Sequence, residues 1–386
     1  GKGEQSLLLT SVAIITIFDS LVGGAALVYL SSRYSWMQLI KASYTWVLVV
    51  SLFAFLLLEA FHVFETKYLL HIILLSAISS ISSVHASLLL GQQRLKAFNF
   101  VQILVPLITF ATCVGQWFVY RQLDYIVALY VSYLVALLTS FIAIWRFFPT
   151  QNDGVVGWKV IWQRLFKLGL YNQLAHVLQL LSFRASYYIL EQFHGTSAVG
   201  VFSNASSITE SIWLIATSIS LWQYAAISNA QDQQYTIQIT EKLSRFGMLA
   251  AFFGVGFFLL LPADFYRFVF GADFGGLQLL MWALAPGVWV FTYALVVGHY
   301  FSGHGRYWVN ALASGVGLLF SLLASFIFIP MYGAMGAALA ASISYTVTSL
   351  VVLRYFLKDG AQFSVFPSKE ELLQLFTQMR VLWRKS

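Results

Sequence analysis

Few ionisable or amide side chains fall inside the long apolar stretches of this chain, and their spacing points to specific chemistry. Asn172, His176, Gln179 and Ser186 lie along one line of a helix at about 100° per residue, with Gln173 and Arg184 on its shoulder. A polar stripe on a spanning helix must face protein or water. Arg184 is the only basic residue well inside such a stretch. It either lines a cavity that attracts an anion or snorkels to the outer headgroups. His176 reads as a packing histidine or a proton carrier. Tyr187, beside the stripe, packs in the core or stacks on a sugar ring.

Asp19 lies mid-stretch with Thr16, Ser20 and Gly23 on its face, and small residues there let helices approach closely. A carboxylate on such a face is a candidate ion or proton carrier, or a partner for an arginine. Glu210 is a second such candidate, or an interfacial carboxylate. Ser76, Ser79, Ser80, Ser83 and Ser87 form a stripe that reads as a tight packing seam, with His85 pointing away in a structural role.

The elements that position these residues follow from hydropathy. Eleven apolar stretches are long enough to cross a bilayer: 7–30, 42–60, 68–90, 99–120, 125–147, 167–190, 205–228, 246–263, 277–301, 307–330 and 334–357. Backbone groups must be paired in lipid, so the expected fold class is an all-α polytopic membrane protein. With 59% hydrophobic and 10% charged residues and a mean hydropathy of +0.77, a soluble domain is excluded. The net charge of +7 is a matter of sidedness: 17 of the 22 Lys and Arg residues fall in alternate loops and the tail. The positive-inside rule makes that side cytoplasmic. This gives a multi-pass membrane protein with a cytoplasmic C-terminus, and no nucleic acid is implied. Residues 1–6 read as a loop, not a signal peptide. Cys113 is the only cysteine, so disulfides and thiolate metal sites are not part of the architecture.

An internal repeat is also visible. Gly91-Gln92-Gln93-Arg94 and Gly303-His304-Gly305-Arg306 each precede a helix pair, and Gly3-x-x-Ser6 matches Gly200-x-x-Ser203. These matches align stretches 1–5 with stretches 7–11 in parallel orientation, as in some transporters. The organisation expected is an N-terminal lobe over 1–147, a connecting segment over 148–166, a C-terminal lobe over 167–358 and a cytoplasmic tail over 359–386. Stretch 6 has no partner, which suggests that a first helix is missing from the repeat. Ser368-Lys369-Glu370-Glu371 is a capping box. It opens an amphipathic tail helix with Leu372, Leu375, Phe376, Met379 and Trp383 on one face. Enzyme motifs are lacking: no P-loop, His-x-x-Glu-His or Gly-x-Ser-x-Gly occurs, and His62 with Glu65 and Glu191 with His194 are scattered.

Several segments resemble the Wzx-type oligosaccharide-unit flippases of the multidrug/oligosaccharidyl-lipid/polysaccharide exporter superfamily. They are Ile329 through Ala338, Phe270-Gly271-Ala272-Asp273-Phe274 with Ala285-Pro286-Gly287, Gly200-Val201-Phe202-Ser203, and Asp19 through Ala26 on to Arg33. The resemblance implies twelve helices in two pseudo-symmetric lobes, of which eleven are present here. It implies alternating access without a cofactor, with H⁺ or Na⁺ as coupling ion through Asp19, Glu210 or His176. The implied substrate is a polyprenyl-pyrophosphate-linked oligosaccharide for O-antigen, capsule or exopolysaccharide. It would be bound by Arg184, Arg33, Arg94, Asn172, Gln173, Gln179 and Tyr187 in a cavity between the lobes. Membrane lipid and polysaccharide assembly proteins are the partners implied. The chain departs from the pattern at Ala185, where the family often has an acid, and at Tyr29, where it often has a base. A multidrug exporter of the same superfamily is the first alternative reading, and a membrane glycan polymerase the second.

Overall fold

In a computed structural model, the residues described are 2–61, 66–121, 124–148, 155–271, 275–365, 367–368 and 371. Every regular element among them is a helix. In chain order these are α1 (Lys2–Gly23), α2 (Ala25–Leu30), α3 (Trp36–Ala60), α4 (Thr66–Gly91), α5 (Leu95–Tyr120), α6 (Tyr125–Arg146), α7 (Trp158–Glu210), α8 (Trp213–Asn229), α9 (Gln233–Leu260), α10 (Ala263–Phe270), α11 (Leu277–Gly303), α12 (Tyr307–Tyr332) and α13 (Ala334–Lys358). The protein is therefore an all-helical polytopic membrane protein. His62, Glu65, residues 149–154, residues 272–274 and the tail from Leu372 lie outside the described residues.

Nine segments among the described residues are long and apolar enough to cross a membrane. The two further stretches expected, 167–190 and 205–228, are helical but more polar. They belong to α7 and α8. α7 runs for 53 residues and is kinked at Gly195, whose φ of 78° only glycine adopts readily. The kink divides α7 into two limbs, and the second limb ends at Glu210 in a short break before α8. The stripe of Asn172, His176 and Gln179 lowers the hydropathy of the first limb, and the break after Glu210 leaves α8 only 17 residues long, so length and hydropathy together yield nine and not eleven.

The chain packs as two units, Gly1–Gln173 and Leu174–Ser386. The division falls inside α7, after the connecting segment at 148–166. The start of α7 stays with the first unit for specific reasons. Gly169 sits so close to the Leu21 carbonyl of α1 that no side chain would fit. Trp46 of α3 packs edge-on against Phe166 at 4.9 Å, and the Gln38 amide donates to the Val156 carbonyl at 2.7 Å.

Within the two units the same packing order recurs. In the first, α1 packs on α3 and α4, and α4 and α5 pack on α6. In the second, α8 packs on α9 and α11, and α11 and α12 pack on α13. The turns that carried the sequence repeat also match. Gln93 (φ 59°) and Gly305 (φ 70°) occupy the left-handed region at equivalent places. Arg94 N then donates to Leu89 O at 2.9 Å, and Arg306 N to Phe301 O at 2.8 Å, closing the ends of α4 and α11. Gly91 meets Val28 and Ser31 at the end of α2, as Gly303 meets Tyr224 and Ile227 near the end of α8.

The segment after α13 is latched to the second unit. Arg306 pairs with Asp359 at 2.5 Å, Glu241 accepts from Gln362 N at 2.6 Å, and Arg245 donates to Glu371 at 2.7 Å. Both bonds of the expected capping box form: Ser368 N to Glu371 at 2.9 Å and Glu371 N to Ser368 Oγ at 3.2 Å. Partial burial raises the Glu371 carboxyl, but the Ser368 N–H, Arg245 and Lys242 together outweigh it and hold the group below its ordinary value.

Two outcomes follow. Replacing Gln93 by Gly should raise stability and Gly305→Ala should lower it, each by roughly 1 kcal/mol. Thermal unfolding in detergent reads this, and shifts of the same sign would contradict the matched turns. Because folding depresses the Glu371 pKa, the latch contributes fully above the ordinary value of 4.5 and weakens as pH falls below it. Hydrogen exchange at Ser368, corrected for intrinsic rate, should accelerate only in that acidic range. Protection that persists to full acid would contradict the capping contact.

Candidate functional sites in the two units

In the first unit, α1 places Thr16, Asp19, Ser20 and Gly23 on one face, and α4 presents Ser79, Ser80 and Ser83 to it. Together with Ile17 these residues line a cavity of about 270 Å³. Gly23 makes the approach possible, since a Cβ there would stand 2.8 Å from Val84. Asp19 is 2% exposed. Its Oδ2 accepts from Ser80 Oγ at 2.5 Å, and its Oδ1 has no partner. The serine stripe expected to be a packing seam thus also supplies the hydroxyl that holds Asp19. Thr16 and Ser20 donate to the Ala13 and Ile17 carbonyls of their own helix at 2.8 and 2.7 Å. Gln173, at the end of the first unit, donates to Ser20 Oγ and to the Ile17 carbonyl. Of the expected residues, Asp19 lines this oxygen-rich cavity, and Gln173 is tied to two of its wall residues.

One carboxylate among hydroxyls is a donor set for a proton or a hard cation. No group of three or more His, Cys, Asp or Glu side chains suited to a metal ion occurs among the described residues.

In the second unit, the kink at Gly195 lets the first limb of α7 lie beside the second. Arg184 Nη1 donates to the Tyr187 hydroxyl, and its guanidinium carbon is 5.0 Å from the Tyr187 ring centre. Ser206 Oγ lies 3.3 Å from the same hydroxyl. Ser206 spends its own hydrogen on the Phe202 carbonyl at 2.7 Å, so Tyr187 accepts from Arg184 and donates to Ser206. Glu210, at the helix break, accepts from the Tyr345 hydroxyl of α13 at 2.6 Å. Arg184 acts electrostatically on both Glu210 and Tyr345. The Tyr345 ring is fully buried, 5.2 Å from Phe183, 5.2 Å from Trp213 and 5.4 Å from Phe291. Arg184, Tyr187 and Glu210, expected separately, thus form one cluster of a cation, two phenols, a hydroxyl and a carboxylate. Such a set can exchange an internal partner for an anionic or sugar-bearing ligand.

The remaining expected residues fall elsewhere. Arg33 is exposed, stacked 3.9 Å from the Tyr29 ring and donating to the Tyr29 carbonyl at 2.7 Å. Arg94 is exposed over the Phe147 ring at 4.7 Å. Their two turns are tied together by Gln92, which donates to the Ser31 carbonyl at 2.9 Å. Asn172, His176 and Gln179 make no hydrogen bond among the described residues and do not join either cluster. His85 is structural, as expected: its ring bridges Tyr44 at 2.5 Å and Ser140 at 2.8 Å. Tyr345 and Ser80 are the hydrogen-bond partners of the two acids that spacing alone did not single out. Each lies on a helix far in sequence from the acid that it serves.

The architecture defines a class: the fold is that of the MATE transporters. A Vibrio cholerae MATE transporter, VcmN, superposes with a TM-score of 0.77 at 11% identity, covering 92% of this chain and 87% of that one. An outward-facing multidrug resistance MATE family transporter of the MOP superfamily superposes at 0.72 and 14%, covering 93% and 87%. ClbM, a MATE transporter in complex with Rb⁺, superposes at 0.72 and 14%, covering 92% and 85%. No family model matches the chain. A more particular likeness is to the capsular polysaccharide biosynthesis protein CapF of Staphylococcus aureus, 27% identical over 173 residues. That match takes in 44% of this chain and 43% of CapF, so it spans less than half of either protein.

The hydroxyl of Ser80 is what satisfies the buried Asp19, so Ser80→Ala should destabilise the first unit by about 1–3 kcal/mol. Asp19→Asn combined with Ser80→Ala should cost less than the sum of the two single changes, because the buried charge that needs the hydroxyl is then gone. Unfolding midpoints of the three variants test this, and strict additivity would contradict a direct coupling.

Proposed function

We propose that the chain is a flippase that carries polyprenyl-pyrophosphate-linked oligosaccharide units from the cytoplasmic to the outer leaflet of a bacterial inner membrane by alternating access. The observation that carries this reading is the second-unit cluster. A guanidinium that donates to a phenol, among aromatic rings and near a carboxylate in a transporter fold, suits an anionic, sugar-bearing headgroup. Arg184 offers the positive charge and Tyr187 a ring face for a sugar, with Arg33 and Arg94 at exposed turns on the side of cationic excess. The likeness to CapF, a capsular polysaccharide biosynthesis protein, supports a glycan as cargo. Asp19 and Glu210 are the acids proposed to couple transport to H⁺ or Na⁺, with His176 as a further proton carrier. The polyprenyl chain stays in lipid, and polysaccharide assembly proteins are the proposed partners.

The second reading is a multidrug exporter. It is favoured by the oxygen-lined Asp19 cavity, which could take a cationic compound, and by the multidrug transporters that share the fold. Complementation of a strain deleted for the gene separates the two. Under the flippase reading, Arg184→Ala and Asp19→Asn should each reduce surface glycan by about tenfold or more, while drug resistance stays unchanged. Unchanged glycan export in both variants would refute the site assignment. Loss of drug resistance with normal glycan would move the function to the second reading.

A further inference from the structure

The first unit carries a groove that neither cluster uses. It lies between α1 and the start of α7, encloses about 780 Å³ and is lined by Leu21, Gln163, Arg164, Phe166, Lys167, Leu170 and Tyr171. Its shape is fixed by contacts already described. Gly169 brings the α7 backbone flush against Leu21, opening space on either flank, and Gln173 ties the next turn of α7 to Ser20 and Ile17. Phe166 is held by Trp46 at 4.9 Å and by Trp162, stacked at 5.7 Å. The backbone and the apolar wall of the groove are therefore fixed by contacts outside it.

Its lining is divided lengthwise. Arg164, Lys167 and Tyr171 recur at i, i+3 and i+7 along one line of α7, while Phe166, Leu170 and Leu21 make an apolar strip beside it. Neither Arg164 nor Lys167 has a partner among the described residues, and no acid lines the groove. Two unpaired cations one turn apart beside an apolar track are complementary to an amphiphile whose head bears adjacent phosphoryl groups and whose tail is hydrocarbon. A phosphodiester headgroup carries a single negative charge and leaves one of the two cations uncompensated. Both cations belong to the loop set that the positive-inside count assigns to the cytoplasm.

We propose that this groove is a docking site for a polyprenyl diphosphate headgroup, with the diphosphate between Arg164 and Lys167 and the first prenyl units along Leu21, Phe166 and Leu170. It is a capture site distinct from the Arg184 cluster. The identity of the occupant rests on the flippase reading, whereas the existence of a diphosphate site rests on the groove alone.

The test is equilibrium binding of radiolabelled farnesyl diphosphate to the full chain in phosphatidylcholine nanodiscs at fixed salt. The double variant Arg164→Gln/Lys167→Gln should raise Kd by about tenfold or more. Lys159→Gln removes one positive charge from the same helix outside the groove and should leave Kd unchanged, and each single variant, Arg164→Gln or Lys167→Gln, should raise it. Thermal unfolding confirms that all these proteins are folded. Farnesol and inorganic pyrophosphate should each compete more weakly than unlabelled farnesyl diphosphate, since each satisfies only one half of the groove. An unchanged Kd in the double variant would overturn the proposal. So would displacement of the probe by an equal amount of phosphatidylglycerol, which would make the groove a site for ordinary anionic lipid. If binding behaves as expected but vesicles holding the protein move no lipid-linked glycan, the flippase reading fails and the groove stands.

Discussion

Hydrocarbon offers the chain no hydrogen bond, and most of this structure follows from that constraint. Helices satisfy the backbone, and the many hydroxyls bond back to carbonyls of their own turn, as Ser76 does to Ile73 and Thr209 to Ala205. Other polar groups are paired between helices. The Tyr224 and Tyr307 hydroxyls meet at 2.5 Å, Gln223 donates to Thr240 at 2.7 Å, and Ser182 meets Ser344 at 2.7 Å. Seven buried side-chain atoms among the described residues have no partner, and the Oδ1 of Asp19 is the only carboxylate oxygen in that set. Leaving such an oxygen buried and bare costs several kcal/mol. Under the proposed function, this oxygen is where a proton or cation would come and go.

The repeat places two different chemistries on one scaffold. Equivalent helices pack in the same order in both units, and the turns before α5 and α12 close with the same hydrogen bonds. The first unit uses this frame to hold an acid among hydroxyls. The second holds an arginine, two tyrosines and an acid among aromatic rings. Under the proposed function, one unit would handle an ion and the other a headgroup.

Much of this was legible in the sequence because membrane helices write their length and sidedness into hydropathy and charge. The repeat was legible because a left-handed turn and a close helix approach restrict residue choice at Gly91, Gly303 and Gly305. Asp19, Arg184, Tyr187 and Glu210 stood out because each sits where a polar group is expensive. Their partners did not. Ser80 is 61 residues from Asp19 and Tyr345 is 135 from Glu210, and no local spacing reports contacts between distant helices. Gly195 also passed unnoticed: one glycine in a polar stretch gives no sign that it folds a long helix back on itself. The stripe of Asn172, His176 and Gln179 followed the helical period, yet shared periodicity did not bring these side chains together with Arg184.

The central claim is that a cationic, aromatic-lined site in a MATE-type fold serves an anionic glycan lipid. The most direct measurement is transbilayer movement of a fluorescent polyprenyl-diphosphate-linked sugar in proteoliposomes, read by a membrane-impermeant quencher. The account predicts movement well above protein-free vesicles and its loss in Arg184→Ala. Movement no faster than in empty vesicles, under conditions where the same preparation transports a cationic dye, would contradict it.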